Sequence, residues 1–328
     1  MAPAETVLVT GATGFVGSRL CRALAAEGCR VRALRRPTSN LSALEGLRLE
    51  LITGDILDPE SLARAVRGVD LVFHVAAESA YWRRPDDVLR SAVAGTRYML
   101  EAALQEGVTK VVLTSSVAAM GVPLHGELLT EGHTFRLPQA FFPYGYAKYQ
   151  SELTALRLSE GRLHLVIVNP SIVLGPGDLY QISGSLITET ARGRAFVYND
   201  GGANYIHVDD VAAGHIAAAA HGRPGERHIL GGENLTHRQA LRSIAQMVGV
   251  RPPWLHLPDA LVPAAGALLD VAGRFVRLPM NGAQMRISRQ RLFCDTAKAQ
   301  AELGFTSTRT FRQAAQEAYD WYRSAGMI

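Results

Sequence analysis

Three cysteines in 328 residues are too few for a disulfide framework, and Cys21, Cys29 and Cys294 lack the spacing of a metal site. His125, His133, His207 and His215 are not spaced as ligands either, so no metal is expected. Like charges never gather into a block. The net charge of +4 comes from scattered arginines, which argues against a nucleic-acid surface. No apolar stretch reaches the length of a membrane span. The most apolar later segment, Leu261 to Val276, is too short and carries Asp270 and Arg274. No basic, apolar leader with a cleavage site precedes the first apolar run, and a cytoplasmic protein is expected. Low-complexity and Gly/Ser-rich stretches are missing too, which excludes disorder and a flexible linker.

What is present is an alternation. Short apolar runs at 6–9, 31–34, 49–53, 71–74, 110–114 and 164–168 read as strands. Amphipathic stretches at 14–27, 86–106 and 144–159 read as helices between them. Strands apolar on both faces belong to a parallel sheet covered by helices. The fold expected is therefore α/β, a Rossmann-type doubly wound parallel sheet. After Gly175-Pro176-Gly177 the alternation weakens. A dinucleotide-binding domain over 1–175 is expected, with later sheet elements near 205–230. Residues 176–328 should form a smaller, interleaved α/β substrate lobe.

The first strand runs into TGATGFVG, Thr10 to Gly17, and then a helix. Gly11 suits a tight turn, Gly14 a close approach of pyrophosphate to the backbone, and Gly17 close packing of the helix. The helix N-terminus offers unpaired N–H groups to phosphates. At the end of strand two an NAD site usually places an acid. Here stand Arg35-Arg36 followed by Pro37-Thr38-Ser39. A guanidinium suits a 2′-phosphate, so NADP(H) is expected over NAD(H). Asp55 is placed to accept from an adenine amine, or else to cap the next helix.

Tyr144 and Lys148, four residues apart, share a helix face. A phenol is a weak acid or base at neutral pH, and a neighbouring ammonium stabilises the phenolate. Such a phenol can protonate an alkoxide forming from a carbonyl, or deprotonate the alcohol in reverse. Ser116, leaving strand five on the ligand side of the sheet, is placed to hydrogen-bond the same oxygen. Tyr81-Trp82 and Phe141-Phe142 follow strands four and five. Trp82 and Phe142 are the candidates to face an apolar or ring-shaped substrate.

Taken together, these motifs resemble those of the extended short-chain dehydrogenase/reductases over nearly the whole chain. The likeness rests on TGATGFVG, Gly54-Asp55, His74-Val75-Ala76-Ala77, Thr114-Ser115-Ser116, Tyr144-x-x-x-Lys148, Asn169-Pro170-Ser171 and His207-Val208-Asp209-Asp210-Val211. Within that family the chain is similar to bacterial dihydroflavonol-reductase-like proteins, including some labelled hopanoid-associated sugar epimerases. The segments Arg36-Pro37-Thr38-Ser39, 230–236 and 301–305 carry that likeness.

The resemblance implies a catalytic set of Ser116, Tyr144 and Lys148. The cofactor contacts it implies are Gly11, Thr13, Gly14, Phe15, Val16, Gly17, Arg36, Asp55, Ile56, Val75, Ala76, Ala77, Thr114, Tyr144, Lys148 and Pro170. It also implies a homodimer paired through the two long helices. One position departs: the family usually has Asn two residues before Ala94, and this chain has Ala92. The activity expected is reversible NADP(H)-dependent reduction of a ketone or aldehyde. The alternatives are a nucleotide-sugar epimerase or dehydratase with a tightly held cofactor, and a non-catalytic NADP(H)-binding regulator.

Overall fold

Every residue of Leu71–His74 is buried, as are four of the five in Thr6–Thr10 and in Lys110–Thr114. Such strands need cover on both faces, and the computed structural model shows how they get it. It describes residues 5–77, 85–124, 126–181, 183–273, 275–276 and 280–328. The main elements are β1 (Thr6–Thr10), α1 (Phe15–Ala26), β2 (Arg30–Arg35), β3 (Glu50–Thr53), α2 (Pro59–Val66) and β4 (Leu71–His74). Then come α3 (Pro85–Gln105), β5 (Lys110–Thr114), α4 (Pro143–Ser159), β6 (His164–Pro170), β7 (Ile172–Leu174), α5 (Ser185–Ala191) and β8 (Val197–Tyr198). The rest are β9 (Gly202–His207), α6 (Val208–His221), β10 (Arg227–Leu230), β11 (Glu233–Thr236), α7 (His237–Val248), β12 (Leu255–His256), α8 (Val262–Ala272), α9 (Gly282–Ser288), β13 (Arg291–Leu292), α10 (Ala297–Leu303) and α11 (Phe311–Ser324).

Seven parallel strands form the large sheet in the order β10-β6-β5-β4-β1-β2-β3. Side chains alternate between its faces, so Val7 and Val9 enter one core with Leu20, Leu24 and Val211. Leu8 enters the other, with Leu62, Met99 and Leu165. Strand order reverses between β1 and β4, and ligands of open α/β sheets bind at the carboxyl ends of such a pair. The expected Rossmann-type architecture is the observed one.

Of the later segments, Arg227–Leu230 is the edge strand of the large sheet, beside β6. Gly202–His207 instead centres a second sheet, antiparallel to β11 and parallel to β7 and β13. That sheet packs on α5, α7 and α11 around Ile187, Tyr205, Ile244, Phe311 and Tyr322. The start of α6 ties it back to the first part of the chain. Arg19 of α1 grips Asp209 through Nε and Nη2, at 2.5 and 2.7 Å.

Candidate active site

The turn after β1 is held by contacts that leave no room for side chains. Gly11 has φ +67°, and a Cβ there would lie 2.8 Å from the Ala76 backbone beyond β4. A Cβ on Gly17 would lie 2.1 Å from the Gly11 carbonyl oxygen. The third glycine thus lets the first turn of α1 seat on the loop itself. Gly14 is the N-cap and caps nothing with a side chain, and the first turn of α1 has no acid. Among the described residues the opening N–H groups, from Phe15 on, therefore have no side-chain acceptor, as a site for phosphate oxygens requires. Thr13, Phe15 and Val16 are partly exposed along this turn.

Side chains sequence reasoning passed over lock the switch point. Ala76 N donates to Thr10 Oγ1 at 3.1 Å, and the same hydroxyl shares a hydrogen bond of 2.9 Å with His74 Nδ1. Burial, with Lys148 nearby, pushes His74 down to about 3, and the ring is neutral. Thr114 is fixed likewise. His215 Nδ1 donates to the Val211 carbonyl at 2.7 Å, which leaves Nε2 to accept from the Thr114 hydroxyl at 2.7 Å. Burial lowers His215 to about 4.

Tyr144 lies in the first turn of α4 and Lys148 one turn further on. Lys148 is buried and donates to the Thr114 carbonyl at 2.9 Å. Burial pulls its ammonium down to about 8, against a smaller upward pull from Glu152. Tyr144, Lys148, Thr114, Ala76 and Ala77 all border one cavity of about 10 Å³, together with His74, Thr96 and Ser151. Ala92 lines it as well. Where the family usually has an amide, the polar lining is instead His74, Ser91 and the Thr96–Ser151 hydroxyl pair, 2.8 Å apart.

Ser116 begins the 3₁₀ turn Val117–Met120, and its Oγ accepts from Ala118 N at 3.2 Å. With an oxygen lone pair engaged, the hydroxyl hydrogen is left to donate outward. This turn and α4 are jammed together: a Cβ on Gly145 would lie 2.6 Å from the Ala118 carbonyl oxygen. Asn169 Nδ2 holds the Ser116 carbonyl at 3.0 Å and Glu152 at 2.6 Å, and Glu152 also accepts from Arg227 at 3.1 Å. Glu152 stands one turn beyond Lys148 on α4, a spacing the sequence offers. Asn169 and Arg227 join only through the fold.

The remaining expected positions scatter around this centre. Val75 packs against the first core, and Pro170 ends β6 in register with Leu230. Ile56 packs where a Cβ on Gly95 of α3 would come within 2.8 Å. Asp55 accepts from Leu57 N at 2.9 Å, while Asp58 caps α2, so the alternative role of Asp55 as that helix's cap does not hold. Arg36 is exposed just past β2, and its side chain has no partner among the described residues. The Phe142 ring stacks on Phe135, which also contacts Tyr146 and Tyr149. Tyr81, Trp82 and His125 lie outside the described residues. Among the described residues no group of three or more His, Cys, Asp or Glu is arranged to hold a metal.

The family model described as NAD dependent epimerase/dehydratase family matches residues 7–231, more than half of the chain. The chain belongs to the NAD dependent epimerase/dehydratase family. A dihydroflavonol 4-reductase candidate from Synechocystis is 35 % identical over 100 % of this chain and 97 % of its own length. Sterol demethylase protein B from Methylococcus capsulatus is 34 % identical over 98 % of this chain and 100 % of its own. The crystal structure of PA4631, a nucleoside-diphosphate-sugar epimerase from Pseudomonas aeruginosa, superposes with TM-score 0.84 at 30 % identity, covering 99 % of both chains. As a member of the epimerase/dehydratase family the chain is an NAD(P)-dependent enzyme of the extended short-chain dehydrogenase/reductase type. That answers the reading of a non-catalytic regulator. A nicotinamide dinucleotide fits the residues present: the glycine positions of the turn, the start of α1 without a side-chain cap and the Ala76–Ala77 segment lie at the carboxyl ends of the β1–β4 pair.

Proposed function

We propose that this family member reduces the carbonyl of a bulky, largely apolar substrate to an alcohol, reversibly, with NADP(H) preferred over NAD(H). The observation that carries the reading is the Lys148–Thr114 hydrogen bond at a cavity that Tyr144 also lines, with Ser116 two residues beyond Thr114. The bound nicotinamide supplies or takes up the hydride. Ser116 donates to the substrate oxygen and polarises the carbonyl. Tyr144 gives that oxygen its proton as the alkoxide forms and takes it back in reverse. Lys148 stabilises the phenolate side of that exchange and holds the ribose. The unpartnered Arg36 guanidinium supports the 2′-phosphate preference, with Gly11, Gly14 and Gly17 under the pyrophosphate. A ring-shaped substrate is favoured by the two relatives named for flavonol and sterol chemistry and by the aromatics around Phe142.

In the same reading, residues up to about 175 and β10 hold the cofactor, while most of 176–328 shapes the substrate side. Two copies pair through α3 and α4 in the cytoplasm. The likeness to PA4631 keeps a second reading, a nucleotide-sugar epimerase that oxidises and re-reduces its substrate on one tightly held cofactor. Purified enzyme with NADPH and a panel of ring ketones separates the two. Net NADPH consumption is expected, and Tyr144→Phe should lower turnover by about 10² to 10⁴ with cofactor affinity nearly unchanged. Cofactor that copurifies and never turns over in bulk favours the epimerase. Equal turnover of Tyr144→Phe removes the assigned proton donor.

A further inference from the structure

Glu152 is 2 % exposed, and a carboxylate so far from water needs a reason to be there. It stands on α4 one turn beyond Lys148 and two beyond Tyr144, so the three lie along one ridge of the helix. From the edge strand β10, Arg227 Nη1 donates to Glu152 Oε2 at 3.1 Å. The same guanidinium donates through Nη2 to the main-chain carbonyls of Glu131 and His133. On the other side, Glu152 Oε1 accepts from Asn169 Nδ2 at 2.6 Å, and that nitrogen also donates to the Ser116 carbonyl at 3.0 Å. Both partners of the nitrogen are acceptors, which settles the way the buried amide points.

A brace alone would not need this charge. Well-packed apolar residues in place of a buried ion pair are often as stable or more so. What the charge faces accounts for it. Its hydrogen-bond chain ends on the main chain of Ser116, and its field acts on the Lys148 ammonium, opposing the effect of burial. Among the described residues the other titratable groups beside Lys148 are His74 of β4, which is neutral, and Tyr144 of α4 itself. To that cavity β5 and α3 bring only hydroxyls as polar side chains, from Thr114, Ser91 and Thr96. We propose that Glu152 is a positioning residue of this active site, which faces the Lys148 ammonium with an opposite charge and, through Asn169, holds the main chain of Ser116.

The inference rests on the reduction proposed above, but its first measurement needs no turnover. The chain has three lysines, Lys110, Lys148 and Lys298. With ¹³C at lysine Cε, the Lys148 signal, assigned by its loss in Lys148→Met, should titrate in the cofactor-free parent with a midpoint of about 8. In Glu152→Gln that midpoint should fall by about one pH unit. Glu152→Asp keeps the charge but shortens its reach, so the midpoint should return toward the parent's while the hold on Asn169 does not. In both variants kcat/KM for a ring ketone that the parent reduces should drop about 10- to 100-fold, the loss lying in kcat and not in the KM for NADPH. If Glu152→Gln does not fold, Glu152→Gln/Arg227→Gln, which strands no buried charge, carries the same expectation. A Lys148 midpoint that stays in place would overturn the proposal, as would a lower melting temperature with kcat unchanged. A parent that consumes no NADPH with any ketone would instead count against the reduction, and the lysine titration would still decide whether Glu152 acts on Lys148.

Discussion

Lys148 Nζ is tied to the carbonyl oxygen of Thr114 by a 2.9 Å hydrogen bond, in a setting where little water reaches either group. The bond aims the ammonium but does not cancel the cost of burying it, and its pKa falls to about 8. A base whose folded value lies below its unfolded one binds fewer protons folded than unfolded. The penalty is therefore full below pH 8 and fades as pH rises toward 10.5. Thermal melts of the cofactor-free protein should gain on the order of 3 kcal/mol across that window from this residue. Lys148→Met should lack that slope. Parallel pH curves for the two proteins would show that Lys148 is not held as described.

The contact between Gly17 and the Gly11 carbonyl gives a second prediction. Alanine at position 17 places Cβ 2.1 Å from that oxygen, and the atom it meets is backbone. The loop must shift, at a cost of about 1–3 kcal/mol. Because the same loop is proposed to hold the pyrophosphate, NADPH affinity should fall together with the melting temperature. A variant that loses stability but titrates NADPH like the parent would separate the loop from the cofactor.

Much of this was legible in the sequence, and the failures share a cause. Apolar runs gave the strands of the large sheet to within a residue or two, since burial of the central strands is written in local composition, although the edge strand β3 is largely exposed. Tyr144 and Lys148 were legible because a helix turn is local as well. The Tyr205 to Val208 run also reads as a buried strand, but periodicity reports burial and not the neighbour, so its place at the centre of a second sheet was hidden. His74 and Thr10 stand 64 positions apart, and Asn169 meets Ser116 across 53. No spacing rule reaches that far.

Arg36 tests the cofactor preference. Its exposed guanidinium can give two charge-assisted hydrogen bonds to a 2′-phosphate and has none to exchange for them among the described residues. Arg36→Ala should weaken NADPH by about 10- to 100-fold and leave NADH within about twofold. Fluorescence titration of both cofactors reads this directly. Equal losses would count against the phosphate contact.

Asp210 carries the last prediction, concerning the seam between the two sheets. In the sequence it was one letter of a family motif; in the fold its carboxylate accepts from Ser307 Oγ, Thr308 N, Thr308 Oγ1, Arg309 N and Arg309 Nη1, all between 2.8 and 3.0 Å. Burial alone would raise its pKa, but these donors outweigh it and hold the group below the usual carboxylate value. Its stabilisation is therefore present above the unfolded value near 3.8 and is lost as pH falls through the lower folded one. Every partner is a donor, so an amide would turn its own N–H₂ against them. Asp210→Asn should cost about 2–4 kcal/mol at neutral pH, and the difference from the parent should narrow as the medium is acidified through that range. Chemical denaturation at pH 7 and near pH 3 measures both, and a cost that does not change with acid would mean that the carboxylate's charge is not what holds the seam.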